Sequence, residues 1–225
     1  MLAHSLSAQG RYVLACLALA AMAVAPLLTF LLIPNARGTG SWTISAAKWQ
    51  RMLPAVVSLW VMGVLVFSIR LFGGWRFTAR LRSASHPAPA EWQQAFERIA
   101  ARAGVPLSGV RLLVSSLVDV PTVIGWLRPV ILAPVESLTG LSVEHITALL
   151  AHELAHIRRH DYLASILQSI VEAVLFYHPA VWWISGQIRA ERELCCDDLA
   201  VAASGDVLTY NACTGGVGIA AALAP

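Results

Sequence analysis

The chain has 225 residues, of which 57% are apolar and 13% charged, with a net charge of +3 and a mean hydropathy of +0.66. Soluble domains carry about 25% charged residues, so a wholly water-soluble globule is excluded, and much of the chain faces lipid or is deeply buried. No dense basic run with interleaved aromatics occurs, which argues against nucleic-acid binding.

In chain order, the stretch "YVLACLALAAMAVAPLLTFLLI" (Tyr12–Ile33) has no charged residue and is long enough to cross a bilayer core of about 30 Å. It is longer than the apolar region of a signal peptide, and no small-x-small cleavage site comes after it. A second apolar stretch begins with "LPAVVSLWVMGVLVFSI" (Leu53–Ile69) and extends to Phe72. The two form an expected transmembrane helical hairpin, spans 12–33 and 53–72. Arg70, Arg76, Arg80 and Arg82 crowd the exit of the second span, whereas the loop between the spans holds Arg37, Lys48 and Arg51. That asymmetry places the chain beyond Phe72 in the cytoplasm.

"SASHPAPA" (Ser83–Ala90) is read as a proline-broken linker. Trp92, Phe96 and Ile99 then fall at helical spacing in a helix expected over Glu91–Ala103, stopped by Gly104. "GVRLLVSS" and "PVILAP" are expected strands, with "DVPTVIGWLR" as a turn-rich connection. A helix capped by Ser142 carries "EHITALLAHELAHIRRH" to about His160. The apolar stretch Tyr162–Ile184 is interrupted by Gln168, Glu172, His178 and Pro179, and is expected to lie along the membrane rather than cross it. A last helix runs from Ile184 to about Ala203.

"LLAHELAHIR" (Leu149–Arg158) holds the chemistry. Helical positions i and i+4 share a face, so His152 and His156 present two imidazoles to one point. Glu153 is offset around the helix and reaches a metal's water without occupying the metal. Chance produces this pattern in a chain of this size on the order of once in a hundred, so a third ligand is required. Glu193 in "ERELCCD" is the best candidate: two histidines and a glutamate make an open hydrolytic zinc site. Asp197, four residues on, shares its face and can accept the free N–H of a ligating histidine. The bland alternative is a solvated acidic face, which suits Glu191 and Asp198.

Cys195 and Cys196 are rival ligands on a poorer face. His145 lies too far along the helix, His160 marks the helix end, and His178 suits a membrane interface. His160 and Arg189 are candidate donors to a developing oxyanion. Cys16, Cys195, Cys196 and Cys213 do not space as a disulfide framework and are read as reduced thiols.

"LLAHELAHIRRHDYL", "FYHPAVWW" and "RAERELCCDDLAV", with "PTVIGWLRPVILAP" before them, resemble the BlaR/MecR-type membrane metallopeptidases, the zinc-peptidase domains of bacterial β-lactam sensor-transducers. The similarity runs from about Arg11 to Tyr210. It implies a mainly α protein: a transmembrane helical hairpin followed by a small α+β, gluzincin-like zinc peptidase domain with "TVIGWLRPVIL" along the cleft. Residues 1–74 would be the membrane region, 75–210 a cytoplasmic peptidase domain and 211–225 an atypical tail. His152, His156 and Glu193 match the ligands of one Zn2+ per chain, Glu153 the catalytic glutamate, and Cys196 and Asp197 the family's E-x-x-C-D pattern.

The implied activity is signal-induced cleavage of a cytoplasmic protein, such as a transcriptional repressor, or of the chain itself, at the inner membrane. The family also has a membrane helix before residue 12 and another after the peptidase domain. Neither is read here, and "NACTGGVGIAAALAP" departs from the pattern, so a truncated gene product is expected. Two alternatives stand beside this: a signal relay with a structural zinc site, and an inert fragment.

Overall fold

The structure, a computed structural model, describes residues 7–32, 43–106, 110–125, 129–135 and 143–204. The described residues are mainly helical, with one small sheet among them.

Two long apolar helices come first. α1 spans Ala8–Leu32 and α2 spans Thr43–Ser83. Both are long and apolar enough to cross a membrane, over Ala8–Thr29 and Gln50–Ser83, and none of the most apolar window of α2 is buried inside the protein. A core helix would bury that surface, so the exposure suits a lipid surrounding. α2 continues well past Phe72, where the second span was expected to end. Nothing in "RLFGGWRFTARLRS" breaks a helix: Gly73 and Gly74 each cost only about 1 kcal/mol, and the arginines are good helix formers.

β1 (His86–Pro87) lies within the expected linker. α3 (Ala90–Arg102) comes next, and Gly104 ends it with φ 68°, a left-handed conformation that glycine adopts without strain. β2 (Arg111–Ser115), β3 (Thr122–Ile124) and β4 (Val130–Pro134) complete a sheet of order β1-β2-β4-β3. β2 and β4 pair in parallel, and β3 pairs antiparallel to β4 with Val123 opposite Ile131. The turn-rich connection expected at 119–128 is therefore corrected: "TVI" is a β-rich triplet, and the edge of β4 supplies its backbone partners.

The sheet alternates as a pleat must. Leu112, Val123, Ile131 and Ala133 join the core formed with Phe96 and Ile99 of α3 and with α4 (Val143–Arg158). Ile124, Val130 and Leu132 point the other way, against Leu81 at the end of α2. β4 is buried along its whole length.

α4 presents Ile146, Leu150, Leu154 and Ile157 to the core at helical spacing. Its expected cap, Ser142, lies outside the described residues. His160 then adopts φ 55° and turns the chain into α5 (Asp161–Val174). α6 runs from Pro179 to Ser204. The single membrane-lying helix expected over 162–184 is thus two helices joined at Leu175–His178, and the last helix starts earlier than expected. Pro179 lacks the N–H that would continue α5, and its fixed φ suits the first turn of α6.

Candidate metal centre

α4, α5 and α6 converge on one cluster. The core face of α4 fixes its rotation, which turns His152, Glu153 and His156 toward α6 and β3. The two imidazoles meet edge to face with ring centroids 4.9 Å apart.

Each ring's Nε2 faces the same carboxylate oxygen. His152 Nε2 is 3.4 Å and His156 Nε2 3.6 Å from Glu193 Oε2. Donors bound tetrahedrally at about 2.1 Å sit about 3.4 Å apart, so these three atoms stand at nearly the edge length such an ion imposes. All lie within 4.8 Å of one another. Two histidines and a carboxylate on one side of an open site are the donor set of hydrolytic zinc, and the residues present fit that ion.

The other ring nitrogens are held from behind. His152 Nδ1 is 3.0 Å from Asp197 Oδ1, the placement expected for Asp197. His156 Nδ1 is 2.9 Å from Asp161 Oδ2, a partner that sequence reasoning missed. The available signal was a second ligating histidine left without an acceptor, with an aspartate five residues beyond it. Asp161 is 3% exposed, and it also receives Arg159 Nε at 3.4 Å. The Cys196 thiol donates to Asp161 Oδ2 at 3.2 Å.

Burial pushes that thiol up to about 11, so it is neutral at pH 7. Cys196 lies on the Nδ1 side of His156, within 3.2 Å of that atom, away from the Nε2 atoms that converge on Glu193. Cys195 is buried, and Cys16, Cys195 and Cys196 are free thiols.

The electrostatics reflect these contacts. Burial acts to lower the pKa of His152, but its hydrogen bonds to Asp197 and Glu193 outweigh this and raise it to about 9. Burial opposes His156 in the same way, and Asp161, Cys196 and Glu193 carry it up to about 12. Glu193 moves the other way: burial raises it, and the two imidazoles overcome this to hold it well below the usual carboxylate range. Glu153 is pushed up, because burial dominates over the nearby histidines and a hydrogen bond from the Val123 backbone. A carboxyl raised by desolvation is suited to exchange a proton near neutrality.

The cluster opens on a cavity of about 310 Å³. Glu153, His156 and Glu193 line one side, Pro121, Thr122 and Val123 of the β3 edge another, and Tyr162, Ser165 and Arg192 a third. The oxyanion donors suggested by sequence do not line it. His160 is turned to the Tyr162 hydroxyl at 3.1 Å, and Arg189 pairs with Glu172 at 2.8 Å. The side chain of His145 is outside the described residues.

The family model described as BlaR1 peptidase M56 matches residues 29–208. "Regulatory protein BlaR1" of Bacillus licheniformis is 31% identical over 83 residues, covering 37% of this chain and 14% of that protein. The stretch in common is therefore a small part of that relative's length.

Proposed function

The chain belongs to the BlaR1 peptidase M56 family, and from that premise we propose that it is a membrane-bound, zinc-dependent endopeptidase. The observation that carries the reading is the convergence of His152 and His156 Nε2 on Glu193 Oε2, at 3.4 and 3.6 Å, beside a half-buried Glu153 and an open cavity. A closed structural zinc site needs neither a base nor a cavity. The helix-borne H-E-x-x-H, a glutamate ligand from a later helix and an edge strand beside them support a gluzincin-like arrangement.

In this reading His152, His156 and Glu193 hold one zinc ion, while Asp197 and Asp161 fix the rings from behind. When bound, zinc supplies Lewis-acid polarisation and lowers the pKa of water toward about 7. Glu153 takes the proton of the attacking water and returns it to the leaving amine. The outer edge of β3, where the Val123 backbone donates to Glu153, offers its other backbone groups to an extended substrate. Tyr162, Ser165 and Arg192 bring hydrogen-bond donors to the cavity wall, where charge developing on the carbonyl oxygen would be stabilised.

Residues 1–74 form the membrane region and 75–210 the peptidase domain, with α2 continuous across the boundary. The arginines at the end of α2 support a cytoplasmic position for that domain in a multi-pass inner-membrane protein. The substrate class is then a cytoplasmic regulator, or the chain itself, cut in response to an envelope signal.

The test uses the full chain in detergent. The parent should bind one zinc, Glu193→Ala should bind it far more weakly, and Glu153→Gln should keep the metal while losing peptide cleavage by about 10²–10⁴-fold. A Glu153→Gln protein that cleaves like the parent, or a folded parent without zinc affinity, would sink the reading.

A further inference from the structure

We infer that α5 and the first half of α6 form a re-entrant hairpin, which enters the bilayer beside α1 and α2 and turns back inside it. The metal-ligand cluster is then held at the membrane surface, at the hairpin's base. The inference rests on the reading of α1 and α2 as membrane helices, and not on catalysis.

The packing sets the hairpin's level. At the start of α1, Arg11 pairs with Glu191 at 2.7 Å, Gln9 accepts from Arg159 at 2.6 Å, and Arg159 lies over the Tyr12 ring. These polar contacts are level with the cluster. Further along α1, Leu19 and Met22 pack against Val171, Leu175, Val181 and Ile184. The hairpin therefore climbs beside the apolar part of α1. On α2, Phe67 stacks on Phe176 with centroids 5.6 Å apart and meets Trp182 at 5.7 Å. Gly63 makes room for this contact, since a Cβ there would collide with the Phe176 ring.

Several backbone groups of the turn find partners within the protein, as non-helical backbone at membrane depth must. Trp60 Nε1 of α2 donates to the Val174 carbonyl at 3.0 Å. Trp182 Nε1 donates to the Phe176 carbonyl at 2.8 Å. The Leu175 N–H reaches Val171 O, and the His178 N–H reaches Leu175 O, both at 2.9 Å. Two indoles, one from a membrane helix, thus cap carbonyls that water would otherwise satisfy.

The side chains are sorted the same way. Gln168 Nε2 donates to Ser185 O at 3.0 Å, and its Oε1 accepts from Arg192 at 3.0 Å. Glu172 pairs with Arg189. Gln168 and Glu172 are thereby spent between α5 and α6, whereas His178 at the turn is exposed. The outward face is apolar and open: Leu167 is 64%, Tyr177 60% and Trp183 68% exposed, with Ile170 and Val174 beside them. This face continues the exposed apolar surfaces of α1 and α2, which identifies its occupant as lipid acyl chains. α5 has 14 residues, about 21 Å of helix against a core of about 30 Å, so it ends inside the bilayer.

Depth measurement in proteoliposomes tests this. Nitroxides would be placed singly on exposed positions Leu163, Leu167, Ile170, Tyr177, Trp183 and Leu194, with Leu17 and Leu59 as references on α1 and α2. The unsubstituted chain, labelled in parallel, supplies the background. Relaxation by oxygen against a water-soluble nickel chelate reports depth. Depth should increase by about 15 Å from Leu163 to Tyr177 and fall back to the surface by Leu194. A uniformly shallow profile with deep references would overturn the hairpin and leave the membrane reading intact. A Tyr177 label reached only from the opposite water phase would overturn it in favour of a full crossing. Shallow Leu17 and Leu59 would overturn the membrane reading and the hairpin together.

Discussion

Asp161 probes the metal centre through one histidine, because it acts on His156 at Nδ1, the nitrogen turned away from Glu193. Its Oδ2 lies 2.9 Å from His156 Nδ1, and its carboxyl is held below its usual range despite burial, chiefly by that bond and by the Cys196 thiol. A hydrogen bond to a charged group contributes about 1.5–3 kcal/mol, against about 0.5–1.5 for a neutral one. Asp161→Asn keeps the shape and one acceptor but removes the charge, a loss of roughly 1–1.5 kcal/mol. At about 1.4 kcal/mol per decade, zinc affinity should weaken about tenfold. Asp161→Ala removes the acceptor and frees the ring to rotate, for which loss of a ligand-orienting carboxylate implies about 10–100-fold. Asp197→Ala should cost less, since that side chain is 40% exposed and water can take its place. A chelator-competition titration of the full chain in detergent measures all three, with circular dichroism to check helicity. Asp161→Ala binding zinc within about twofold of the parent, with helicity intact, would refute the idea that this carboxylate holds His156 for a metal.

The same contacts set three further outcomes. The metal-free imidazoles hold their protons up to about 9 for His152 and about 12 for His156, and a metal must displace them. Zinc affinity should therefore fall as pH drops below about 12 and more steeply below about 9, and calorimetry in two buffers at pH 7 should show about two protons released per zinc; none released would contradict the charged pair. Leu132→Ala, at a fully buried position of β4 packed on Leu81 of α2, should cost about 2–5 kcal/mol and lower the unfolding midpoint by several degrees. An unmoved midpoint would mean that sheet and membrane helix are not coupled. Gly63→Ala should destabilise the chain by about 1–3 kcal/mol through the Phe176 ring, whereas Gly73→Ala, where an added Cβ meets nothing within 4 Å, should be neutral or stabilising by up to about 1 kcal/mol. Equal effects at both glycines would remove the case for close packing of α2 on the hairpin.

Features written in short-range periodicity were legible in the residues. The face shared by His152 and His156 comes from four-residue spacing alone, as does the pairing of Glu193 with Asp197 one helix later. α1, α3 and α4 come from runs of apolar residues at helical spacing. What needed the fold is of a different kind. β3 is three residues long, and it is a strand because β4 stands beside it. Asp161 reaches His156 through a corner in which His160 takes a left-handed conformation, uncommon outside glycine and not specified by local periodicity. Gln168 and Glu172 marked an interrupted apolar stretch, and only the packing of α5 on α6 shows that they face inward.

The sequence by itself determined the donor types, their spacing within each helix, and the apolar lengths that suit a bilayer. These depend on helix geometry and hydrophobicity, which act over a few residues. The tertiary structure decided which helix faces which: that Glu193 Oε2 meets both Nε2 atoms, that the two aspartates stand behind the rings, and that Trp60 caps a carbonyl of the α5–α6 turn. Those contacts join residues far apart in the chain. They are set by how the faces of α4 and α6, of α1 and α6, and of α2 and α5 fit together, and no local periodicity encodes that fit.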